Sequence, residues 1–545
     1  METMRPVALS DPLTLLMVVT ALFTFLIQSG ELGTSDTAHR LQVTHSLWTG
    51  EPQVFPYEYP DFGLRGRDGK LYASYGLGQS LLMLPADLAG SAASQLPLWR
   101  NYAASKSDPT VRSIVVSIST NILINLLTAL AAYHLLVLLG FNLRQSIVGV
   151  LGLLCSTTHL HYSQNLTENN YIVLLTVVGF VLQWCWLVRG DRRALLWGST
   201  ALGLNLLTRI TTALDILGAA CFLLLATLFA RYQPLSRMNT RAGTAGGLGD
   251  APVLSRAGIY LRTALPVYAF FFFLDRMYQY IRFGSWTTTY VGVLAREQRL
   301  MDPSLPSNFP FNGHWFQDGL NSGVLGPLFS PEKSIFLFDP MFPLALLLTV
   351  LLWRQLEPGV RAFQATWLLL VAAYIAFYAG YYSWTGDAAW GDRYVSSAVE
   401  LAALLGLPLL VRYRRSLGRP VWYLGLGVTL FSVAVQCASL AFWLPLEIDQ
   451  MKTFGHPTWV VFLRFKNIAG FALGRWDRWG LNTPAIFQDS WDATHLTTWN
   501  ILPSLLHRIG DAPLWAVHVL YWVWWFVALA LTYGCARLVR SLCRA

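Results

Sequence analysis

Charge is what this 545-residue sequence has least of: 13% of its residues are Asp, Glu, Lys or Arg, where a soluble globular chain carries about 25%. Lysine is nearly missing, with 5 copies against 34 arginines. Cysteine is sparse as well. Its six copies (Cys155, Cys185, Cys221, Cys437, Cys535 and Cys543) fall in apolar runs or beside the last one, which argues against a disulfide framework in the hydrophilic loops. No internal repeat of the kind an inverted-repeat transporter carries is found. The net charge of +9 does not point to nucleic acid, because the arginines gather in short loops between apolar runs.

What is abundant is apolar sequence, 54% of the chain. A run of about 20 such residues crosses the hydrocarbon core of a bilayer, and twelve candidate spans follow: 13–29, 113–139, 146–160, 170–188, 194–211, 213–230, 258–275, 335–353, 364–380, 396–411, 421–443 and 514–536. The expected fold is therefore an all-α polytopic membrane protein of about 12 transmembrane helices. The first run has no small-x-small cleavage site before Asp36, so it reads as a retained span.

With the N-terminus placed in the cytoplasm, the inside segments carry 19 Lys and Arg against 5 Asp and Glu, and all other segments carry 20 against 25. The positive-inside rule fixes that orientation: a multi-pass protein of the inner (plasma) membrane with both termini cytoplasmic. Three outer loops are long, 30–112, 276–334 and 444–513. They divide the chain into a transmembrane region (1–443) that carries the first two of these loops, a Trp-rich extracytoplasmic loop (444–513), and a last span with a basic tail (514–545).

The outer loops hold the residues able to do chemistry. In DTAHRLQVTHSLW, Ala38, Leu41, His45 and Trp48 share one helical stripe and Arg40, Gln42 and Ser46 the other face, which predicts a helix lying along the interface. GLGQSLLMLPADLAGSAASQL (76–96) predicts a second surface helix or helix pair. Asp36 heads the first of these helices. It can serve as the N-cap, or as a general base on an acceptor hydroxyl.

HLHYSQNLTENN (159–170) offers His159 and His161 with Glu168 as ligands for a divalent ion, although His-x-His with a distant acid is more often interfacial packing. Glu168 precedes a span and so lies at the same depth as Asp36; two carboxylates at one depth can share a metal or a substrate. Arg209, with Asp215 six residues on, reads as a local ion pair or a snorkelling side chain. In YYSWTGDAAWGDRYVSS, the residues Trp384, Asp387, Trp390, Asp392, Arg393 and Tyr394 crowd together. The arginine suits bidentate binding of phosphate, and Lys333 can add a point charge.

Taken in order, GTSDTAHRLQVTHSLW, GKLYASYGLGQSLLMLPADLAG, NLTENN, LFSPEKSIFLFDPMFPLALL and WTGDAAWGDRYVSSAVELAAL resemble the integral-membrane GT-C glycosyltransferases. The likeness is to the polyprenyl-phosphate-sugar-dependent group related to protein O-mannosyltransferases and the lipid A aminoarabinose transferase, and it covers most of residues 10–412. The resemblance implies Asp36 as the catalytic acid of the first outer loop, Glu168 as a second acidic position for metal or acceptor, and Arg393 and Lys333 near the donor phosphate. Tyr72, Tyr75, Trp384, Trp390 and Asp392 would line the substrate, and a divalent metal ion, if used, would sit at Asp36 and Glu168. The implied partners are a polyprenyl-phosphate-linked sugar and a lipid, glycan or protein acceptor. Two other functions compete: a flippase or transporter of lipid-linked saccharides, and a surface-polysaccharide polymerase or ligase, for which Arg296, Arg299 and His314 in loop 276–334 are the relevant residues.

Overall fold

A computed structural model describes residues 11–59, 62–105, 109–231, 253–386, 389–442, 446–447, 450–451, 459–473 and 499–544. The described chain is almost wholly helical, and a single two-stranded hairpin interrupts the pattern: Gly63–Arg65 pairs antiparallel with Leu71–Ala73. This is the multi-pass helical architecture the hydropathy predicts. Most of the expected 444–513 loop, and Asp387, lie outside the described residues.

Among the described residues, seven helices are long and apolar enough to cross a membrane, and three shorter apolar ones, Pro12–Ile27, Leu143–Ser156 and Met341–Gln355, accompany them. The expected count of twelve is therefore not reached by length. The run 194–211 forms the 15-residue helix Arg192–Leu206. The run 396–411 breaks into Ser396–Ala403 and Gly406–Arg412. Pro408, in the first turn of the second helix, has no amide hydrogen to offer the carbonyl one turn back, and this favours the break that precedes it.

Five helices position the site: α1 (Pro12–Ile27), α2 (Ser35–Thr49), α3 (Gly78–Ser94), α4 (Val111–Leu138) and α5 (Glu168–Arg189). Asp11 caps α1 by accepting the Thr14 amide at 3.2 Å, with Pro12 in the first turn. Thr34 caps α2, and α2 stops at Gly50, whose φ of 75° is a left-handed conformation that glycine adopts without strain. The expected interfacial stripe is rotated. Thr37, Arg40, Leu41 and Thr44 face inward, while Ala38 and Trp48 are exposed. A buried arginine on this helix is affordable because a carboxylate waits for it. The second expected surface element is one continuous helix, α3, which carries Pro85 inside it.

Between helices, aromatic side chains supply the dispersion that holds membrane bundles together. Phe180 packs on Trp367 with ring centroids 4.9 Å apart and on Phe222 at 5.7 Å. Polar side chains bind α1 to its neighbours. Gln28 donates to the Ser163 carbonyl at 2.7 Å and accepts from Asn121 and Ser117, and Asn125 donates to Thr24. Buried amides of this kind are costly unless paired, so they fix the register of α1 against α4.

Candidate active site

The loop from α1 to α2 sets Asp36 at one end of the bundle. Gly33, at φ 79°, lies so close to Asn165 that any Cβ would meet it at 2.5 Å. Because Thr34 caps the helix, its hydroxyl accepting the Thr37 amide, Asp36 is not the cap and its carboxylate is available for other partners. Oδ2 receives the Arg393 guanidinium at 2.7 Å and Oδ1 receives the Tyr75 hydroxyl at 2.8 Å. This pair is partly exposed, with the Asp36 side chain 22% and the Arg393 side chain 18% exposed.

Glu168 begins α5 behind this pair and is nearly buried. Each of its oxygens takes one guanidinium: Arg40 from α2 on Oε2, and Arg209 from the turn after the Arg192–Leu206 helix on Oε1. Two tyrosines join the ion pairs into one centre. Tyr75, which donates to Asp36, also lies beneath the Arg40 guanidinium, 4.6 Å from its ring centroid. Tyr394 lies 5.2 Å from Arg209 and 5.3 Å from Arg393, and is itself stacked on Tyr378 at 4.4 Å. Such ring faces attract cations and keep the flat guanidiniums aligned.

Local sequence explains how residues so distant arrive together. Gly76 packs directly on the Leu207 carbonyl, where a Cβ would meet oxygen at 2.3 Å, and this brings Tyr75 to the segment bearing Arg209. Asn169, next to Glu168, donates to the Arg393 carbonyl at 2.6 Å and to Ser396 at 2.7 Å. Lys333 is buried and donates to the carbonyls of Ala389 at 2.7 Å and Gly391 at 3.3 Å, bracing the turn that presents Arg393. Asp392 caps the same turn by accepting the Tyr394 amide at 3.0 Å.

Electrostatics separate the acids. Burial alone would raise the Asp36 carboxyl, but Arg393, the Tyr75 hydroxyl and the field of Arg209 together outweigh it and hold the group below its ordinary range. Asp36 is therefore ionised at neutral pH. Burial, and then the neighbouring Asp36 charge, push Tyr75 well above its usual value, so it stays a donor. Asp392 is driven the other way, to about 7, chiefly by burial, against the pull of backbone hydrogen bonds and Lys333.

The other sequence candidates lie apart from this centre. His159 bonds Asn125 at 3.0 Å and faces Glu400 at 3.4 Å. His161 bonds Asn165 and stacks on Trp390; burial and then Arg464 depress it to about 3, so its ring is neutral. Neither reaches Glu168. Trp390 packs on Phe338 in a buried cluster, and Trp384 donates to the Asn321 carbonyl at 2.9 Å. Tyr72 bonds Asp68 on the hairpin. Arg209 pairs with Glu168, while Asp215, the partner expected of it, accepts from Thr176 and Tyr374.

No group of three His, Cys, Asp or Glu able to hold a metal occurs among the described residues. In the observed arrangement, a divalent cation would have to displace a guanidinium from Asp36 or Glu168 against the repulsion of the others, so the donor set does not fit one. Arg40, read as part of a polar helix face, and Arg209, read as a local ion pair or a snorkelling side chain, are the site residues that sequence reading did not bring to the centre. The spacing of Asp36 and Arg40, four residues apart and hence on one helical face, was the available signal for the first.

The fold and site together define a multi-pass helical membrane protein with a polar carboxylate and guanidinium centre at one end of its bundle. No protein-family model and no curated protein matches the chain. Among solved structures it is similar to the oligosaccharyltransferase of Archaeoglobus fulgidus in its apo form (11% identity, 86% of this chain and 59% of the other, TM-score 0.43) and in complex with zinc and sulfate (12%, 89% and 61%, 0.42). It is also similar to ArnT of Cupriavidus metallidurans bound to undecaprenyl phosphate (12%, 92% and 75%, 0.36). The chain thus spans about three fifths of the length of the archaeal enzyme.

Proposed function

We propose that the protein transfers a sugar from a polyprenyl-phosphate carrier to an acceptor hydroxyl at the extracytoplasmic face, with inversion at the anomeric carbon. The observation that carries this reading is the meeting of Asp36 with Arg393 at 2.7 Å beside the Arg40, Glu168 and Arg209 group. An ionised, partly exposed carboxylate stands next to guanidiniums, and those are the groups that such a transfer needs.

In this mechanism the acceptor hydroxyl lies against Asp36 and attacks the anomeric carbon through an oxocarbenium-like transition state. As the new glycosidic bond forms, the bond to the phosphate oxygen breaks and Asp36 takes the hydroxyl proton. A carboxylate of lowered pKa is a weak base in the ground state. It takes the proton late, when the attacking oxygen has become acidic. Charge grows on the departing phosphate, and Arg393 stabilises it; a preorganised donor of this kind is worth about 3–4 kcal/mol. Arg40 and Arg209 add positive field, and Glu168 keeps them apart and aligned. Lys333 acts as a positioning residue for the Arg393 turn.

The test is sugar transfer by purified protein in liposomes loaded with a radiolabelled polyprenyl-phosphate sugar. Wild type should form a new glycosidic bond and Asp36→Asn should not. Movement of intact lipid-linked sugar across the bilayer by both forms, with no bond made, would establish the flippase instead. Products elongated by whole glycans would indicate the polymerase or ligase.

A further inference from the structure

A second feature on α2 lies away from the Asp36 centre. His45 and Trp48 help line a cleft of about 990 Å³ between α2, α3 and the start of α4, together with Leu88, Arg100, Thr110 and Arg112. Position 45 is nine residues beyond Asp36, which at helical rise is about 13 Å along the axis. The cleft lies at the same end of the bundle, since Gly30, just after α1, packs against Pro109 and Ile114.

Three observations give the cleft its chemistry. Among the described residues its lining includes two arginines and a histidine and no carboxylate; the nearby Glu51 carboxylate lies 3.9 Å from His45 Nε2. Its wall contains the N-terminus of α4, where Thr110 caps the helix and the positive end of the helix dipole meets the cavity. Behind the wall, Asp87 is completely buried and accepts from His45 Nδ1 at 3.0 Å and Trp48 Nε1 at 2.8 Å, with Arg112 Nε 3.7 Å from its other oxygen. One buried carboxylate therefore orients two lining side chains, His45 and Trp48, by hydrogen bonds and draws Arg112 by charge alone. Arg112 lines the cleft with its side chain 28% exposed and without a hydrogen bond to Asp87. Trp48, 44% exposed, and Leu88, 45% exposed, supply an apolar rim.

We propose that this cleft binds a phosphate-bearing headgroup, whose phosphate is held by Arg100, Arg112 and the α4 N-terminus while Trp48 and Leu88 cover its less polar part. Two guanidiniums at a helix N-terminus suit a phosphate, and the amphipathic rim suits the ester attached to it. The phosphate can arrive on a membrane lipid or on a free phosphomonoester, and the inference stands independently of the transferase reading.

Full-length protein in an uncharged detergent would be titrated calorimetrically with phosphatidylglycerol, with glycerol 1-phosphate, and with uncharged diacylglycerol as control. Saturable binding of phosphatidylglycerol alone assigns the lipid as the source, and binding of both phosphates shows that the headgroup suffices. In either case Arg100→Gln combined with Arg112→Gln should weaken binding about tenfold or more with an unchanged melting temperature. Ala92→Trp, which fills the cleft and keeps both charges, should do the same and serves if the double variant folds poorly. Absence of saturable phosphate binding overturns the proposal, as does undiminished binding by folded variants or equal binding of diacylglycerol.

Discussion

The guanidinium of Arg393 lies 2.7 Å from the carboxylate of Asp36, across 357 residues of sequence. Around that contact Tyr75 and Tyr394 connect a second set, Arg40, Glu168 and Arg209, so that two acids and three guanidiniums form one network. Its members come from five separate segments of the chain.

Asp36→Asn removes the proton acceptor while keeping shape. Transfer should fall about 10²–10⁴-fold, with donor binding little changed. Turnover of labelled donor measures the first, and equilibrium binding of the same lipid measures the second. Activity within a few-fold of wild type would remove Asp36 from the chemistry.

Arg393→Lys keeps one positive charge but loses the flat, forked donor. A drop in kcat of about 10²–10³-fold, larger than any change in KM, is the expected split, because the charge it meets grows as the carrier leaves. A change confined to KM would make Arg393 a ground-state binding residue only.

Glu168→Gln leaves Arg40 and Arg209 buried against each other without a counter-charge. Removal of one partner from a buried ion pair costs about 3–5 kcal/mol, so the melting temperature in detergent should fall clearly. Replacing all three residues together by apolar ones of similar size should restore much of that loss. If Glu168→Gln alone melts like wild type, the pairing holds nothing in place.

Two acids give opposite pH behaviour. Asp36 is held below its ordinary pKa, so its stabilising contribution is complete above the unfolded value of about 3.9 and is lost only as pH falls through its lower folded value. Asp392, pushed up to about 7, retains its proton in the folded protein, and its effect on stability is adverse as pH rises from about 4 to 7. An inflection in the pH–activity profile near 7, absent in Asp392→Asn, is therefore expected. A profile identical in the two proteins would mean that ionisation of Asp392 does not reach the site.

Much of the fold is legible in the sequence because membrane insertion is a local matter. A helix that satisfies its own backbone needs only enough apolar residues in a row, and helices do occur at all twelve runs. Their lengths were less legible, since Pro408 and short helices such as Arg192–Leu206 depend on neighbours for their limits. The site divides along the same line. Asp36, Glu168 and Arg393 stand out as charges at the ends of apolar runs, where they are costly and therefore informative. His159, His161 and Trp390 stand out for the same reason of type and place, yet they turn inward to amide, carboxylate and ring partners of their own.

The sequence by itself determined that this is a helical membrane protein and which short segments carry its charge, because both follow from composition over a window of about 20 residues. Only the tertiary structure decided the pairing: Arg209 with Glu168 and not with Asp215, Arg40 turned inward and not to water, Lys333 bonded to main-chain carbonyls. The reason is physical. A buried charge takes whichever partner desolvates with it at hydrogen-bonding distance, and that distance is set by how helices pack, a property no single stretch of chain contains.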